Sequence, residues 1–347
     1  MKDSDMVRVA FLVSGFKLVK EQGEGVARYA QGLWSYFSTV PASSGITIDK
    51  VELGSRVPGA QSVLQGMFQL ATTDFSKYDI IHTVEPIEFL PIRRGAAKVV
   101  TTVHDIPQAP SNLSMLYVMR KLRRYQMFSS DYLLPSSESR KRELIELGMD
   151  ADKVIVVNHG IENKFSSKVP RRVKNKQFVV GTLGALNEVS CVDRFIRAAK
   201  LVKQKSVSFQ ICGRPGVEAD SMKRLAEGDS RITFKGYIPD AKLVETFDGF
   251  DIYVSPRPDE GFGLSVLEAQ TRGVPVIIFS NTKMPYETRK YCIEVKDERE
   301  MACVIESLAK KGFNEKRRAN MSSYARQFTL DNTAKKCIEI YKQIAQA

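Results

Sequence analysis

The sequence predicts an α/β protein of two doubly wound domains, each a parallel sheet with helices on both faces. Three observations predict it. Short β-branched apolar runs alternate with stretches of helical periodicity along the chain, the alternation stops once at Phe165 to Gln177 and then restarts, and 347 residues exceed what one hydrophobic core ordinarily serves.

Val7 to Ser14 reads as the first strand, because eight residues rich in Val, Leu and Phe are too short for a helix and end in a glycine-bearing loop. A helical pattern from Glu24 to Phe37 follows it. Further strands are expected at Ile46 to Leu53, Tyr78 to Thr83, Lys98 to Val103, Asp131 to Pro135 and Lys153 to Asn158. Strands separated by helices imply crossover connections and parallel pairing. In the segment Phe165 to Gln177 the apolar period is lost, and Pro170 stands among Lys168, Arg171, Arg172, Lys174 and Lys176. Strands restart at Phe178 to Gly181, Ser206 to Cys212, Arg231 to Phe234, Asp251 to Ser255 and Pro275 to Phe279, with a helix from about Val189 to Val202. Asp297 and Glu300 have the spacing of a capping box, and Leu330 to Gln346 is helical without a breaker. The expected domains are therefore 1–165 and 178–329, joined by a basic linker at 166–177, with a C-terminal helix over 330–347 that returns to the first domain. In open sheets of this kind ligands bind outside the carboxyl ends of the strands, so a cleft shared by the two domains is the expected site.

With 43% hydrophobic and 27% charged residues, the composition is that of a folded globular protein and not of a disordered or fibrous one. No apolar run reaches the length of a membrane span, and the polar start Met-Lys-Asp-Ser-Asp is unlike a secretory signal, so a cytoplasmic location is expected. The five cysteines are scattered, and the three histidines, His82, His104 and His159, lie far apart, so no metal or redox spacing is present and no metal cofactor is expected. A formal charge of +12 suits a polyanionic partner, whether nucleotide phosphates, an anionic membrane or nucleic acid, and equally a solvated basic surface.

The most informative stretch is Asp251 to Ile278. A buried strand ends at Ser255, Pro256 breaks it, and Glu260-Gly261-Phe262-Gly263 opens a helix reaching about Arg272. The first amides of a helix have no internal acceptor and favour anions and hydroxyl oxygens, and the two glycines let a ligand approach the backbone. Glu268 can accept two hydrogen bonds from vicinal hydroxyls such as those of a ribose. This is chemistry for a polyhydroxy ligand that carries phosphate.

With its E-x7-E spacing, its Glu-Gly-Phe-Gly loop, and the Glu-Ala, glycine and Pro-Val that follow, the segment resembles the retaining glycosyltransferases of family 4, also called glycosyl transferases group 1. The resemblance runs through nearly the whole chain. It implies the GT-B architecture, two Rossmann-like domains facing across a cleft, and transfer of a hexose from a nucleotide-diphosphate sugar, the co-substrate, to an acceptor hydroxyl without a metal. Carried over by position, Glu260 and the amides of Gly261, Phe262, Gly263 and Leu264 hold the transferred sugar, and Glu268 holds the ribose. His104, at the end of KVVTTVHD, matches the family's cleft histidine, so the catalytic residues implied are His104 and Glu260; a histidine beside Asp105 also reads as a structural pair. Gly25 in Gly-Glu-Gly-Val matches the glycine loop near the diphosphate, Gly181 opens the second domain, and Gly213-Arg214 resembles the loop beside the base, or an ordinary turn. Ser136 to Gly148 and Lys153 to Gly160 resemble the ending of the family's first domain.

The family's pattern fails at two places. The arginine and lysine that grip the donor diphosphate are replaced by Thr182 and Ser190. Negative charge on a leaving diphosphate needs fixed donors when no metal supplies them, and Arg257, three residues before Glu260, is the preferred substitute ahead of Arg214 and Lys283. In Leu113 to Leu134, Met115, Val118, Met119 and Leu122 recur at helical spacing while Arg120, Lys121, Arg123 and Arg124 occupy other faces. That pattern suits a helix lying on the cytosolic face of an anionic membrane, with a glycan or lipid-linked acceptor, and suits equally a packed helix with a solvated basic side. Two rival readings stand beside transfer: a sugar-nucleotide epimerase of the same architecture, and a non-catalytic relative with a basic binding surface. Nucleic acid is not an expected partner.

Overall fold

The computed structural model describes residues 6–14, 25–54, 60–87, 93–106, 115–167 and 177–346. The chain divides into two compact units, Met1–Gly160 with Thr329–Ala347, and Ile161–Phe328.

The first unit is built on β1 (Val7–Ser14), β2 (Ile46–Leu53), β3 (Ile80–Thr83), β4 (Lys98–Val103) and β5 (Tyr132–Pro135), all parallel, in the order β2-β1-β3-β4-β5. Its helices are α1 (Gly25–Phe37), α2 (Ala60–Thr72), α3 (Met115–Phe128) and α4 (Glu138–Glu146). Lys153 to Asn158 does not form the strand expected of it. It runs extended beside β5, with the amides of Ile155 and Val157 donating to the carbonyls of Leu133 and Pro135 and a single bridge at Val154. A turn of 3-10 helix at Ala151–Lys153 takes up its start, capped by the Asp150 carboxylate.

One side of this sheet packs on α1 through Tyr29, Ala30, Leu33 and Phe37, whose i, i+3, i+4 spacing makes one apolar face. The final helix Leu330–Gln346 lies on the same core, burying Leu330, Ala334, Cys337, Ile340, Tyr341 and Ile344. Gly32 permits this approach, since a Cβ there would stand 2.1 Å from Leu330 Cδ1.

The second unit holds a six-stranded parallel sheet. Its strands are β6 (Phe178–Leu183), β7 (Val207–Cys212), β8 (Ile232–Gly236), β9 (Ile252–Ser255), β10 (Val276–Phe279) and β11 (Ile293–Val295), in the order β11-β10-β9-β6-β7-β8. β11 was not expected, because three residues are too few for a period to register. Helices α5 (Val192–Leu201), α6 (Ala219–Ala226), α7 (Leu243–Asp248), α8 (Leu264–Thr271), α9 (Tyr286–Arg289), α10 (Glu298–Lys311) and α11 (Glu315–Ala325) surround it, and Leu330–Gln346 is α12. Asp297 caps α10 by accepting from the amides of Arg299 and Glu300, and Glu300 reaches back to the Lys296 amide.

The sequence places the end of the first domain at 165, whereas Ile161 onward belongs to the second unit. Phe165 is buried in its core, and Arg272, 1% exposed, donates to the carbonyls of Phe165 and Ser167 while forking onto Asp248 at 2.7 Å through both Nε and Nη2. A buried guanidinium must have its donors met, and this segment meets them. Of the expected linker, 168–176 lies outside the described residues.

Candidate functional site

The order of strands in the second unit reverses between β6 and β9, and the loops leaving these two strands therefore flank a natural crevice. The loop after β9 carries the E-x7-E motif. Tyr253, Val254 and Ser255 are buried, Pro256 ends pairing, and the chain turns through Gly263, whose φ of 84° and ψ of 48° make it the left-handed N-cap of α8. A Cβ on Gly263 would lie 2.9 Å from Thr288 Cγ2 and 3.3 Å from Met284 Sδ. The same Thr288 donates its hydroxyl to the Phe262 carbonyl at 2.5 Å, and the Lys283 amide donates to the Pro258 carbonyl at 2.8 Å. The Phe262 ring is buried and meets Phe328 edge-on. This loop is thus held at both ends and its middle, with the α8 amides at its head.

Glu260 keeps a 16% exposed side chain and pairs with Arg257 at 3.5 Å. Glu268, about one turn into α8, is 2% exposed. Both carboxylates act on a residue that the sequence reading missed. The buried Tyr253 donates its hydroxyl to Ser265 Oγ at 3.1 Å; burial raises its phenol pKa, and the charges of Glu260 and Glu268 raise it further. A tyrosine in the middle of an apolar strand gives no pattern by which its hydroxyl could have been anticipated.

Several glycines have architectural tasks. Gly181 lies inside β6, where a Cβ would strike the Phe250 ring at 2.3 Å. A Cβ on Gly213 would sit 1.7 Å from the Gly184 carbonyl oxygen, so the loops after β6 and β7 touch backbone to backbone. They are laced by Gly184 N–H to Cys212 O and Leu186 N–H to Arg214 O, at 2.9 and 3.0 Å, and Gly213 N–H donates onward to Gly236 O at the end of β8 at 2.8 Å. Arg214 projects from this lacing and stacks 4.5 Å over the half-exposed ring of Tyr237, which follows β8. Gly25 is the first residue of α1, and Gly23 and Glu24 lie outside the described residues.

The positions of the two absent cations are well defined. Thr182 is fully buried in β6, with a hydroxyl that finds no hydrogen-bond partner among the described residues. Ser190 donates its hydroxyl to Asn187 Oδ1 at 3.0 Å in a 3-10 turn, after which Cys191 enters α5 at φ 48°, the one non-glycine positive φ among the described residues.

In the first unit His104 follows β4. It is not paired with its chain neighbour: Asp105 reaches Arg140 at 3.4 Å, while His104 Nε2 donates to the Val84 carbonyl at 2.9 Å. Two of the three histidines, His104 and His159, distant in sequence, meet here at Tyr29, while the His82 ring lies against Phe11 and Tyr341. His82 is bonded through Nδ1 to the Tyr341 hydroxyl and through Nε2 to Thr102 Oγ1, and burial, aided by His104, pulls its pKa down to about 3. Burial likewise lowers the His159 pKa well below that of an open imidazole, with His104 adding to the effect. Among the described residues no three His, Cys, Asp or Glu side chains are placed to hold a metal ion.

Against known families, residues 163–328 match the model described as Glycosyl transferases group 1, and residues 46–165 match Glycosyltransferase Family 4. The chain is a GT-B glycosyltransferase. It is 25% identical over 296 residues to O-antigen chain mannosyltransferase B of Escherichia coli, a match covering 78% of this chain and 76% of that one. Other curated glycosyltransferases are matched over about half of their own length. Its fold is that of Anabaena Alr3699/HepE in complex with UDP and glucose, with a TM-score of 0.71 at 16% identity over 96% of this chain and 99% of that one. Sucrose-phosphate synthase of Thermosynechococcus elongatus aligns with a TM-score of 0.75 at 15% identity over 97% and 98% of the two chains.

On α3, the basic residues are not a uniformly open face. Lys121 is exposed, Arg120, Arg123 and Arg124 are half-buried, and Arg124 lies 5.0 Å over the Phe128 ring. Gln126 and Met127 form its buried side, Val118 and Tyr125 are 47% and 73% exposed, and the side chains of Met115 and Met119 lie outside the described residues. Among the described residues no helix is long and apolar enough to cross a membrane.

Proposed function

We propose that this glycosyltransferase moves a hexose from a nucleotide-diphosphate sugar to an acceptor hydroxyl with retention of anomeric configuration, and that it needs no metal to do so. The observation that carries the reading is the fixed Glu260-Gly261-Phe262-Gly263 loop at the head of α8, beside the β6/β9 switch point, with Glu268 buried behind it. Oriented amides at a helix start meet the charge and hydroxyls of such a donor. The solved relative of the same fold that holds UDP and glucose supports the choice of donor class. In this reading Glu260 and the loop amides, with Leu264, hold the sugar, Glu268 takes the ribose hydroxyls, and Gly213, Arg214 and Tyr237 border the base. The resemblance gives His104 a role toward the donor sugar, which this reading keeps. The departing phosphate oxygen takes the acceptor proton on the same face of the sugar, so that the protein's task is positioning and electrostatics.

Arg257 supplies the charge that Thr182 and Ser190 do not. It starts paired with Glu260 and transfers that pairing to the diphosphate when a donor is bound. Binding and slow hydrolysis of a panel of nucleotide sugars test the whole reading. One donor should be selected by the wild type and lost in Glu268→Ala, and Arg257→Ala should weaken it; binding of no donor by the wild type would refute the reading.

The acceptor is a glycan or lipid-linked hydroxyl, met from the cytoplasm at an anionic membrane surface. The exposed Val118 and Tyr125, seven residues apart on α3, and the basic side chains Arg120, Lys121, Arg123 and Arg124 support the membrane. Neutralising those four cations should abolish partition to anionic vesicles; unchanged partition would remove the membrane from the reading.

A further inference from the structure

The three rings of Tyr29, His104 and His159 form a closed triangle in the first unit. Tyr29 stands edge-on to His104 at 5.0 Å and 89°, His159 is tilted against His104 at 4.6 Å, and Tyr29 and His159 are 4.4 Å apart. We propose that Tyr29 and His159 are positioning residues that hold the His104 imidazole in one tautomer and one orientation for glycosyl transfer. The inference rests on the role given to His104 above.

The first step is the proton. A carbonyl oxygen accepts but cannot donate, so the bond from His104 Nε2 to Val84 O puts a hydrogen on Nε2, and in the neutral form of the ring Nδ1 is then the acceptor nitrogen. That bond alone does not fix a ring that turns about two bonds. Packing on its faces and edges does, provided the packing groups are themselves immobile.

Both are. Tyr29 is buried, and its hydroxyl bonds Thr102, which is bonded to His82, which is bonded to Tyr341 of α12. His159 is buried on a segment held from both sides: the Asn158 carbonyl accepts from Thr333 Oγ1 at 2.9 Å, and a Cβ on Gly160 would stand 2.0 Å from the Thr329 carbonyl carbon. Neither ring brings charge to His104, because burial raises the Tyr29 phenol and lowers the His159 imidazole pKa. They act by shape and by the edge-to-face preference of aromatic rings.

The test reads tautomer and turnover together. In 15N spectra of the labelled full chain, His104 should show the Nε2–H form alone in wild type and a mixture of forms in His159→Ala and Tyr29→Leu. In the same variants turnover should fall roughly ten- to hundredfold with donor KM little changed, since a misplaced group is lost to the transition state and not to binding. His159→Phe, which restores a ring, should recover most of the loss. In a His104→Ala background the His159→Ala change should cost nothing further, which a purely structural role would not produce. A single His104 tautomer in His159→Ala, or losses that multiply in the double variant, would overturn the proposal. Full turnover of His104→Ala would instead overturn the role given to His104, with the tautomer measurement still deciding whether Tyr29 and His159 hold the ring.

Discussion

Replacing Gly263 by alanine should be the most damaging one-carbon change in the donor loop. The backbone there is left-handed at φ 84°, which costs an L residue about 1–2 kcal/mol. The added methyl would also lie 2.9 Å from Thr288 Cγ2. Thr288 cannot simply rotate away, because its hydroxyl is bonded to the Phe262 carbonyl of the same loop. Overpacking of this kind adds about 1–2 kcal/mol, for a total of about 3 kcal/mol. In a domain of this size that lowers Tm by roughly 6–12 °C, and thermal and urea melts of the full chain measure it. The two terms separate in the double variant Gly263→Ala/Thr288→Ser, which keeps the hydroxyl and removes the methyl. It should recover about half of the loss, the backbone strain remaining. A Gly263→Ala protein melting within about 1 °C of wild type would show that neither the left-handed turn nor the Thr288 contact holds the loop.

Stability should fall in mild acid on account of the buried histidines. His82 titrates at about 3 in the folded protein and near 6.5 when unfolded, so between these values the unfolded chain binds more protons. Stability is then complete above about 6.5 and is lost as pH falls, by about 2 kcal/mol from pH 7 to pH 5 for His82 alone. Urea melts of wild type and His82→Gln should therefore converge by about that amount, and parallel pH profiles would contradict it. Gly213→Ala, which drives a methyl into the Gly184 carbonyl, should destabilise by about 3 kcal/mol and weaken donor binding, as melting and titration would register. Thr182→Val removes a buried hydroxyl without a partner and should raise stability by about 1 kcal/mol; a loss in chemical denaturation would mean that the hydroxyl is used.

The sheets were legible because parallel strands buried on both faces must be short and apolar, and β1, β2, β4 and α12 fall where the pattern places them. Lys153 to Asn158 was misread because an extended segment beside a sheet edge has the same apolar content as a strand, and only its hydrogen bonds tell them apart. The Glu260 to Glu268 segment was legible because helix start, glycines and carboxylates are consecutive. Contacts made by folding were not. Nothing in the spacing of His104 and His159 announces that they meet at Tyr29, nor does an apolar strand announce that the Tyr253 hydroxyl feels the charges of Glu260 and Glu268. Gly181 was read as the glycine that opens the second domain and Gly213 as part of a loop beside the base or an ordinary turn, and nothing in the sequence names their neighbours, the Phe250 ring and the Gly184 carbonyl. A sequence marks where a side chain is absent, and only the fold tells what occupies the space.

The loss of two cations and the presence of a fully buried threonine belong to one argument. At Thr182 the strand is closed to solvent, so a guanidinium there would have to be desolvated or would have to open the loop above it. On the donor reading proposed above, the anion is met from the other side of the switch point, where the loop after β9 carries Arg257, paired with Glu260. Under that proposal a cation on β6 would be fixed before the donor arrives, whereas Arg257 would leave Glu260 first, so that releasing the carboxylate for the sugar and capturing the diphosphate would become one event. On that reasoning Arg257→Lys, which keeps charge but loses the fork, should bind donor more weakly than wild type and better than Arg257→Ala. Equal donor affinity in the two variants would place the diphosphate away from Arg257.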